Sequence, residues 1–431
     1  MTLRRWRFRF AWKKREMSMN IYDNMRRRGF IAQASDEEAV RRMLGESQVT
    51  FYVGFDSTAT SLHAGSLVPI MAMMHLQRAG HRPIAIVGGG TSMVGDPSGK
   101  TEMREMLDES VIRSNGSAIH DQLDRYLQFD GENALALNNA DWLLSLKYVE
   151  FLRDIGRHFS VNRMLAAEAY KQRLERGLSF IEFNYQLLQA FDYLTLYRNY
   201  DCSLQMGGDD QWGNILAGVD LIRRVEGGKA EAMTFPLLTT ASGAKMGKTA
   251  AGAIWLNAER LSPYDYYQYW ISCDDRDVGR FLRLFTFLPL DEIIKLESLE
   301  GSEIREAKRI LAYEATVITH GEPEASEAKT ASAQAFGSRP SSGAGDLNGM
   351  PSTDITRDRL EAGFNAAELA AEVGLTVSRG EAKRLIKQGG FYLNGEKINS
   401  LERRIDVSDL TPEGILLRAG KKKYHRIRIE G

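Results

Sequence analysis

Two short motifs, far apart in the chain, carry the residue types that phosphate chemistry needs. The first, GFDSTATSLHAGS, follows an apolar run and places His63 and Gly65 at the expected start of a helix. Free N–H groups and the helix dipole favour an anion there, and a histidine can donate to phosphate oxygens that gain charge during a reaction. The second, ASGAKMGKTAAGA, places Lys245 and Lys248 in a loop of small residues, where two lysines can close over a triphosphate. Each motif alone is a weak signal, because H-x-G-x occurs by chance and solvated loops also carry lysines.

A parallel sheet with crossing helices would bring such motifs together. Alternating strand and helix patterns occur twice, first in segments 49–55, 66–79 and 83–87, and again in segments 202–206 and 212–222. This alternation is typical of βαβ units. We therefore predict an α/β fold, with a doubly wound parallel sheet of the Rossmann type as the catalytic domain, residues 19–261. A mostly helical insertion is expected between its halves, at about 148–200, and the lysine loop occupies 245–249.

The rest of the chain predicts two further domains. Ser262-Pro263 is a typical helix start and opens a helix-rich second domain that extends to 336. Its aromatic cluster can be core or can stack on bases, and the helical spacing favours core; the members are Tyr264, Tyr266, Tyr267, Tyr269 and Trp270. Segment 337–355 begins with Ser, Gly and Pro and predicts a flexible linker. A small α+β domain, 356–431, is expected to follow.

The C-terminal domain is basic although the whole chain has a net charge of only -1. From Thr376 to Gly431 there are thirteen Lys or Arg and seven Asp or Glu residues. Ser378 and Glu381 predict a capping box, and segments 391–393 and 397–398 around Asn394-Gly395 predict a hairpin. A charge stripe alone is usually a solvated face, but with this net charge we predict that it binds RNA phosphates. The residues concerned are Arg379, Lys383, Lys387, Lys421, Lys422 and Lys423.

Composition restricts the class of protein further. Cys202 and Cys273 lie far apart with no C-x-x-C neighbour, so we expect neither a disulfide framework nor a structural zinc site, and a reducing compartment. No apolar stretch is long enough to span a bilayer. Residues 1–18 carry seven Lys or Arg against one acid. They are either a short targeting or RNA-touching tail or, as we favour, an extension upstream of a start at Met17 or Met19, so we expect the cytoplasm, with an organelle left open.

The motifs resemble those of a known family. His63 to Ser66 resembles the HIGH signature and Lys245 to Thr249 the KMSKS signature of class I aminoacyl-tRNA synthetases, in the same order and about 180 residues apart. More closely, YVGFDSTATSLHAGS, VGDPSGKTEMR, FNYQLLQAFD, LQMGGDDQWGN and KMGKT resemble tyrosyl-tRNA synthetases, and the resemblance runs from about Ile21 to the C-terminus. The last seventy-five residues or so resemble the RNA-binding module named for ribosomal protein S-four.

This resemblance implies an activity and a set of site residues. The enzyme would activate L-tyrosine with ATP and Mg²⁺, release pyrophosphate and transfer the tyrosyl group to the 3′ end of tRNA-Tyr, as a homodimer joined through helices around 151–165. No protein-bound structural metal is expected. Tyrosine would be held by Tyr52, Asp96, Tyr185, Gln189, Asp192 and Gln205, with the phenol oxygen between Tyr52 and Asp192. ATP would be held by Gly54, Asp56, His63, Gly65, Gly208, Asp210, Gln211 and Lys248. The reacting phosphates would meet His63, Ser66, Lys245, Lys248, Thr249, Lys100 and Arg104.

Four departures from the family pattern affect the expected ATP contacts. Ser66 replaces the second histidine of HIGH, Ser57 stands where proline is usual, Asp209 where serine is frequent, and Gly247 where KMSKS has serine. Two alternatives also remain. The tryptophan-specific synthetase shares the fold, although a Tyr52 and Asp192 pair favours a phenol over an indole. A synthetase-derived RNA-binding protein that no longer charges tRNA is the other, although a pure binder has no need of Lys245 and Lys248.

Overall fold

The structure is a computed structural model that describes residues 19–98, 106–166, 170, 174, 177–243, 246–249, 252–336, 351–412, 414–420 and 423–430. The chain divides into two units. Unit 1 comprises the described parts of Met1–Asn257 together with Asp274–Glu300, and unit 2 comprises Ala258–Cys273 together with the described parts of Gly301–Gly431. No helix among these residues is both long and apolar enough to cross a membrane.

A six-stranded sheet organises unit 1. Its strands are β1 (Gln33–Ala34), β2 (Thr50–Asp56), β3 (Arg82–Gly88), β4 (Leu135–Asn138), β5 (Cys202–Gly208) and β6 (Glu231–Phe235), in the order β1-β6-β5-β2-β3-β4. All neighbours are parallel except the short edge strand β1, which pairs antiparallel with β6. The chain leaves β2 in one direction across the sheet and later returns to its other side as β5. This order confirms the predicted doubly wound sheet.

Helices surround this sheet because its central strands are buried. They are α1 (Ile21–Arg28), α2 (Glu37–Glu46), α3 (Leu67–Arg78), α4 (Glu109–Tyr126), α5 (Ala140–Leu143), α6 (Tyr148–Asp154), α7 (Val161–Leu165), α8 (Phe180–Tyr200) and α9 (Trp212–Glu226). Helix α8 starts at a capping box in which Ser179 accepts from the Glu182 amide and Glu182 accepts from the Ser179 amide. Helix α9 ends at Gly227, whose φ of 62° is the left-handed conformation that glycine adopts without a side-chain clash.

Two helices beyond residue 262 also belong to unit 1. Helices α11 (Val278–Phe285) and α12 (Leu290–Glu297) lie in Asp274–Glu300, whereas 262–336 was predicted as one helical domain. Arg28 explains part of this attachment, because its guanidinium is buried and donates to the carbonyl oxygens of Arg283, Thr286 and Leu288 at 2.7–3.2 Å. A buried cation needs such acceptors, and this need ties α1 to the segment around α11.

Unit 2 begins with three helices, α10 (Pro263–Ile271), α13 (Ile304–His320) and α14 (Glu322–Phe336). Ser262 caps α10 by accepting from the Asp265 amide, with proline in the first turn, as predicted. Four of the five clustered aromatic residues are at most 1% exposed, and Tyr269 is half-buried. The interpretation of this cluster as core is therefore confirmed.

The C-terminal part of unit 2 is an α+β fold. It contains β9 (Ser352–Ile355), α15 (Arg357–Ala362), β10 (Phe364–Asn365), α16 (Ala366–Glu372), α17 (Arg379–Lys387), β11 (Phe391–Leu393), β12 (Glu396–Lys397), β13 (Arg404–Ile405), β14 (Ile415–Ala419) and β15 (Lys423–Ile429). Its main sheet has the order β12-β11-β14-β15-β9. The predicted hairpin is confirmed as β11 and β12, with Asn394 and Gly395 at φ of 48° and 87°, as a two-residue hairpin turn requires.

Two details of this region correct the sequence predictions. Residues 352–355 were assigned to the flexible linker, but they form β9, which pairs parallel with β15. The segment is too short for its pattern of apolar and polar residues to predict a strand. The strand is stabilised by its pairing with β15. The predicted capping box is half formed, because Ser378 accepts from the Glu381 amide while Glu381 accepts from Val377 instead of Ser378. The predicted tail 1–18 and the first part of the linker lie outside the described residues.

The buried Arg28 gives a stability prediction. Arg28→Met should lower the free energy of unfolding by about 3 kcal/mol, because buried carbonyl oxygens that lose a charged donor cost about 1–3 kcal/mol each. The measurement is urea or thermal denaturation, with Arg27→Met as the matched control, since Arg27 is an exposed neighbour on the same helix. Equal shifts in both variants would show that the carbonyl contacts do not attach the α11 segment.

Candidate active site

The candidate site lies at the carboxyl ends of β2 and β5. These two strands are neighbours although β3, β4 and several helices separate them in sequence, so the sheet changes direction between them. A crevice forms at such a point in open α/β sheets, and ligands bind there. Tyr52 and Gln205 are paired in register across β2 and β5, so their side chains lie side by side on one face. Both are 2% exposed.

A buried tyrosine and a buried aspartate come together on this face. Asp192 on α8 is 3% exposed, and its proximity to Tyr52 is one of the causes that raise the pKa of the Tyr52 phenol, after burial itself. The hydroxyl of Tyr52 has no hydrogen-bond partner among the described residues, and neither has Oε1 of Gln205. Buried polar atoms without partners are rare, and at a binding site a ligand can supply the missing partner. Three polar groups predicted to bind tyrosine are therefore buried in one region.

Two residues that sequence reasoning missed hold the Asp192 carboxylate. Asn139 donates from Nδ2 to Oδ2 at 2.9 Å, and Trp142 donates from Nε1 to Oδ1 at 2.7 Å. Burial raises the pKa of Asp192 to about 7, and these two donors partly offset the rise. Asn139 also accepts from the Gly90 amide at 2.8 Å. The signal was present in the sequence, because Asn139 directly follows β4, and the carboxyl ends of parallel strands meet at one edge of the sheet.

Asp96, to which the resemblance assigns the α-ammonium group of tyrosine, is a second buried carboxylate. Asp96 is 6% exposed and accepts from the Ser98 amide at 2.8 Å and from Nε2 of Gln211 at 2.6 Å. Burial, with the nearby charge of Asp56, raises the pKa of Asp96 to about 6. A cationic group next to this carboxylate would lower its pKa again and bind favourably.

The remaining tyrosine-binding candidates share one face of α8. Tyr185 is buried and Gln189 half-buried, and with Asp192 they recur at the three- and four-residue spacing of one helical face. The ATP-binding candidates are spread along the strand ends. Gly54 is exposed, with open space where a side chain would lie. A side chain at Gly208 would come within 2.5 Å of the Asp210 carboxylate, so this glycine permits the close turn into Gln211.

The two signature motifs are in contact. A side chain at Gly65 would lie 3.3 Å from the carbonyl oxygen of Met246, and one at Gly247 would lie 2.7 Å from the Gly65 amide nitrogen. Gly247 has a φ of 80°, which side chains disfavour. The departure from serine at this position therefore fits the observed backbone. His63 also pairs with Trp255 through an isolated β-bridge.

The His63 turn corrects one expectation. Its backbone amides were expected to be free for phosphate, but Ala64 donates to Ile254, Gly65 to Nδ1 of His63 and Ser66 to the His63 carbonyl. Because Nδ1 accepts, the neutral imidazole carries its proton on Nε2. Ser66 is half-buried in this turn and makes no side-chain cap bond.

The lysine loop is described only in part. Lys248 and Thr249 form β7, which pairs antiparallel with β8 (Gly252–Ala253). Lys245, Lys100 and Arg104 lie outside the described residues. Among the residues that are described, no group of three or more His, Cys, Asp or Glu is arranged to hold a metal ion.

Two further departures are accommodated locally. Ser57 donates its backbone N–H to Oγ of Ser92 at 2.9 Å, a bond that a proline could not make. Asp209 accepts from Gln33 at 2.6 Å and from Thr234 at 2.9 Å, so its carboxylate joins the edge strand β1 to β6. The Asp209 carboxylate is therefore paired within the sheet, whereas the buried Ser57 hydroxyl has no hydrogen-bond partner among the described residues.

The basic residues of the C-terminal domain are distributed as predicted along α17. Lys383 and Lys387 are exposed, and so is Arg379, but Arg379 pairs with Glu368 at 3.0 Å. Because Arg379 is already paired with a carboxylate, we expect it to contribute less than the two lysines to binding a phosphate. Lys423 is exposed at the start of β15, and Lys421 and Lys422 lie outside the described residues.

Comparison with known proteins assigns the family. The family model for class I tRNA synthetases (W and Y) matches residues 44–337, and that for the tyrosine–tRNA ligase SYY-like C-terminal domain matches residues 344–427. The chain belongs to the tyrosine–tRNA ligase family. Among curated relatives, the tyrosine–tRNA ligases of Desulfosudis oleivorans and Syntrophus aciditrophicus are 55% and 56% identical over 429 residues, each covering 95% of this chain and 99% of the relative.

Solved structures agree with this membership. A C-terminally truncated mitochondrial tyrosyl-tRNA synthetase from Aspergillus nidulans is 32% identical, with a TM-score of 0.67 over 74% of this chain and 94% of that chain. A tryptophanyl-tRNA synthetase from Encephalitozoon cuniculi has a TM-score of 0.55 over 73% of this chain and 90% of that chain, at 13% identity. The second likeness is one of fold alone. The fold therefore does not separate the two ligase families, whereas sequence similarity and the C-terminal domain do.

The pKa of Asp192 predicts a pH dependence of stability. Its pKa rises from about 3.8 to about 7 on folding, so the folded protein keeps a proton that the unfolded chain has lost. The raised pKa therefore stabilises the folded protein fully below about pH 4, and this stabilisation is lost as pH rises through 7. Each unit by which the folded pKa exceeds the unfolded pKa corresponds to about 1.4 kcal/mol. Relative to Asp192→Asn, the native protein should therefore lose a few kcal/mol of stability between pH 4 and 8. A difference between the two melting curves that stays constant over this range would contradict the raised pKa.

Proposed function

We propose that this chain activates L-tyrosine with ATP to tyrosyl-adenylate and pyrophosphate, and then transfers the tyrosyl group to the 3′ end of tRNA-Tyr. The observation that supports this best is the Asp192 carboxylate close to a buried Tyr52 hydroxyl that has no partner among the described residues. A phenol O–H bound there donates to Asp192 and accepts from Tyr52. Membership of the tyrosine–tRNA ligase family supports the same activity.

The phenol site explains how tyrosine is distinguished from phenylalanine. Both Asp192 oxygens already accept one N–H, and each carboxylate oxygen has a further lone pair. Phenylalanine in the same place supplies no donor, so the buried carboxylate and the Tyr52 hydroxyl stay incompletely paired. An indole is wider than a phenol and presents its N–H at a different position, so the same groups disfavour tryptophan.

The proposed chemistry needs no protein nucleophile. The tyrosine carboxylate attacks the α-phosphorus of ATP, the bond to the bridging oxygen breaks, and pyrophosphate leaves. Asp96 holds the α-ammonium group, so the carboxylate stays oriented, and His63 Nε2 and Lys248 stabilise the charge that builds on the phosphates. Magnesium accompanies ATP as the counter-ion of its phosphates. Lys245, Lys100 and Arg104 are proposed to act with them on the pyrophosphate.

The second half-reaction requires tRNA, and the C-terminal domain is the proposed anchor. Lys383, Lys387 and Lys423 are exposed cations on this domain, and each can neutralise a phosphate and release counterions. Lys421 and Lys422 are proposed to extend this contact. The cytoplasm is the proposed compartment, because the reaction serves translation.

We also propose that two copies of this chain form a homodimer through the helical insertion at about 148–200. Large apolar side chains are exposed there in a way that is unusual for a monomer; they are Tyr148, Val149, Leu152, Val161 and Phe180. Phe151, expected at the interface, instead packs inward against Phe191 with ring centroids 5.5 Å apart. A second copy of this chain is the partner proposed to cover the exposed side chains.

The phenol site is tested by Asp192→Ala. The variant should lose about 100-fold in kcat/KM for tyrosine, as expected for a lost hydrogen bond to a buried charged group, with little change for phenylalanine. The measurement is ATP–pyrophosphate exchange with each amino acid, and Asp124→Ala, an exposed carboxylate on α4, is the control. Retention of the full preference for tyrosine would place the phenol elsewhere.

A shortened protein that ends at Phe336 tests whether adenylate formation and tRNA binding belong to different parts of the chain. The end point precedes β9, because β9 belongs to the C-terminal sheet. The shortened protein should make tyrosyl-adenylate at a near-normal rate but charge tRNA poorly. The slope of log affinity for tRNA against log salt should fall by roughly one unit for each phosphate that the shortened protein no longer neutralises. The full-length double variant Lys383→Gln and Lys387→Gln should show a smaller change in the same direction. Normal charging by the shortened protein at physiological salt would move the tRNA anchor to the helices between 262 and 336.

A further inference from the structure

The loop that joins two of the proposed ATP-binding residues, Asp56 and His63, has no regular secondary structure. Residues 57–62, called here the connecting loop, lie between Asp56 at the end of β2 and His63 in the HIGH-like turn, and they form neither helix nor strand. Ser57 is fully buried and Ser61 and Leu62 nearly so. A buried loop must find hydrogen-bond partners outside a ladder for its backbone groups. The connecting loop finds several of them on helix α4.

The side chain of Gln122 on α4 bonds to both a backbone N–H and a backbone carbonyl oxygen of the loop. Its Oε1 accepts from the Leu62 amide at 2.9 Å, and its Nε2 donates to the Thr60 carbonyl oxygen at 3.2 Å. The hydroxyl of Ser61 lies 3.3 Å from the same Oε1 and 2.8 Å from the Leu62 carbonyl oxygen, its nearer acceptor. One side-chain amide thus replaces the neighbouring peptide group that a strand would provide, immediately before His63. Gln122 is 3% exposed, so water does not compete readily for these bonds.

Asn115 makes the equivalent contact at the other end of the loop. Its Nδ2 donates to the Ser57 carbonyl oxygen at 3.1 Å, and the residue is 4% exposed. Asn115 and Gln122 are seven positions apart, which is about two helical turns, so they lie on one face of α4. The helix approaches closely there, because a side chain at Gly116 would lie 3.3 Å from Oγ of Ser57 and 3.1 Å from Val87.

We propose that Asn115 and Gln122 are positioning residues for adenylate formation, which hold the connecting loop so that His63 and Asp56 keep the separation that ATP requires. The inference rests on the proposed function. Helix α4 has a buried apolar face, with Ile112, Ile119 and Leu123 at most 2% exposed, and so provides a fixed support that the loop itself lacks. Catalysis by orientation is sensitive to displacements of about 1 Å, which can cost roughly 100-fold in rate.

A purely structural role of Asn115 and Gln122 predicts a different result from a positioning role. If the two amides only stabilise unit 1, their removal should lower the stability and reduce tyrosine binding and adenylate formation together. If they position the loop, the effect should fall on the ATP-dependent step. Tyrosine binding in the absence of ATP should remain, because its proposed ligands Tyr52, Asp192 and Asp96 make no described hydrogen bond to α4.

The experiment uses the full chain and the near-isosteric variants Gln122→Met and Asn115→Leu. Gln122→Glu keeps the acceptor for the Leu62 amide and removes the donor to Thr60. Gln128→Met is the matched control, since Gln128 is exposed just beyond the end of α4. Equilibrium dialysis gives the dissociation constant for tyrosine and the concentration of competent sites, and single-turnover kinetics across an ATP series give the rate of adenylate formation and the apparent affinity for ATP.

The expected result is a split between the two substrates. Gln122→Met and Asn115→Leu should bind tyrosine within about twofold of the native protein, yet form adenylate roughly tenfold or more slowly per competent site, or with ATP affinity weakened to a similar extent. Gln122→Glu should lie between Gln122→Met and the native protein, and Gln128→Met should match the native protein. Unchanged ATP-dependent kinetics in both variants, or parallel decreases in tyrosine binding and adenylate formation, would overturn the proposal. A native chain that binds tyrosine without forming adenylate would instead overturn the proposed function.

Discussion

The parallel pairing of β2 with β5 is the constraint on which the site depends. Because the chain returns to the free side of β2 only after crossing β3 and β4, helices leave these two strand ends in opposite directions and a crevice stays open between them. Tyr52 and Gln205 meet there in register, Asp56 ends one strand and Gly208 the other. Residues about 150 positions apart in sequence become neighbours by this single pairing.

The crevice contains carboxylates that water would normally surround. Burial raises the pKa of both Asp192 and Asp96, and a cost of this kind is tolerated where neighbouring donors hold the charged form. Asn139 and Trp142 hold one carboxylate, and Gln211 and the Ser98 amide hold the other. Both carboxylates are therefore already held in place before any ligand binds, as the proposed contacts with a phenol and an ammonium group require. Such prior arrangement reduces the cost of ordering side chains on binding.

Backbone contacts, more than side chains, hold the two segments that are proposed to bind the ATP phosphates. The turn after His63 is held by its own hydrogen bonds and by the strand-like segment that follows the lysine loop, and Gly247 fits against Gly65 because it has no side chain. The connecting loop is held differently, because two side-chain amides of α4 bond to its backbone. The departures from the family motifs at Asp209 and Gly247 are matched by local partners or by local space, and the backbone N–H of Ser57 has a partner in Ser92.

The sequence by itself determined the fold class and the family, and it supplied the residues proposed for the site, because apolar periodicity and turn chemistry are local and the motifs are short. It also predicted the burial of the aromatic cluster and the β11–β12 hairpin. Only the tertiary structure revealed Asn139, Trp142, Asn115 and Gln122, the assignment of α11 and α12 to unit 1, and strand β9. Each of these depends on a partner distant in the chain: a carboxylate, a loop backbone, a buried guanidinium or a neighbouring strand. Hydrogen bonding across such separations leaves no periodic pattern in the sequence, since its geometry is set only when the sheet and helices have packed.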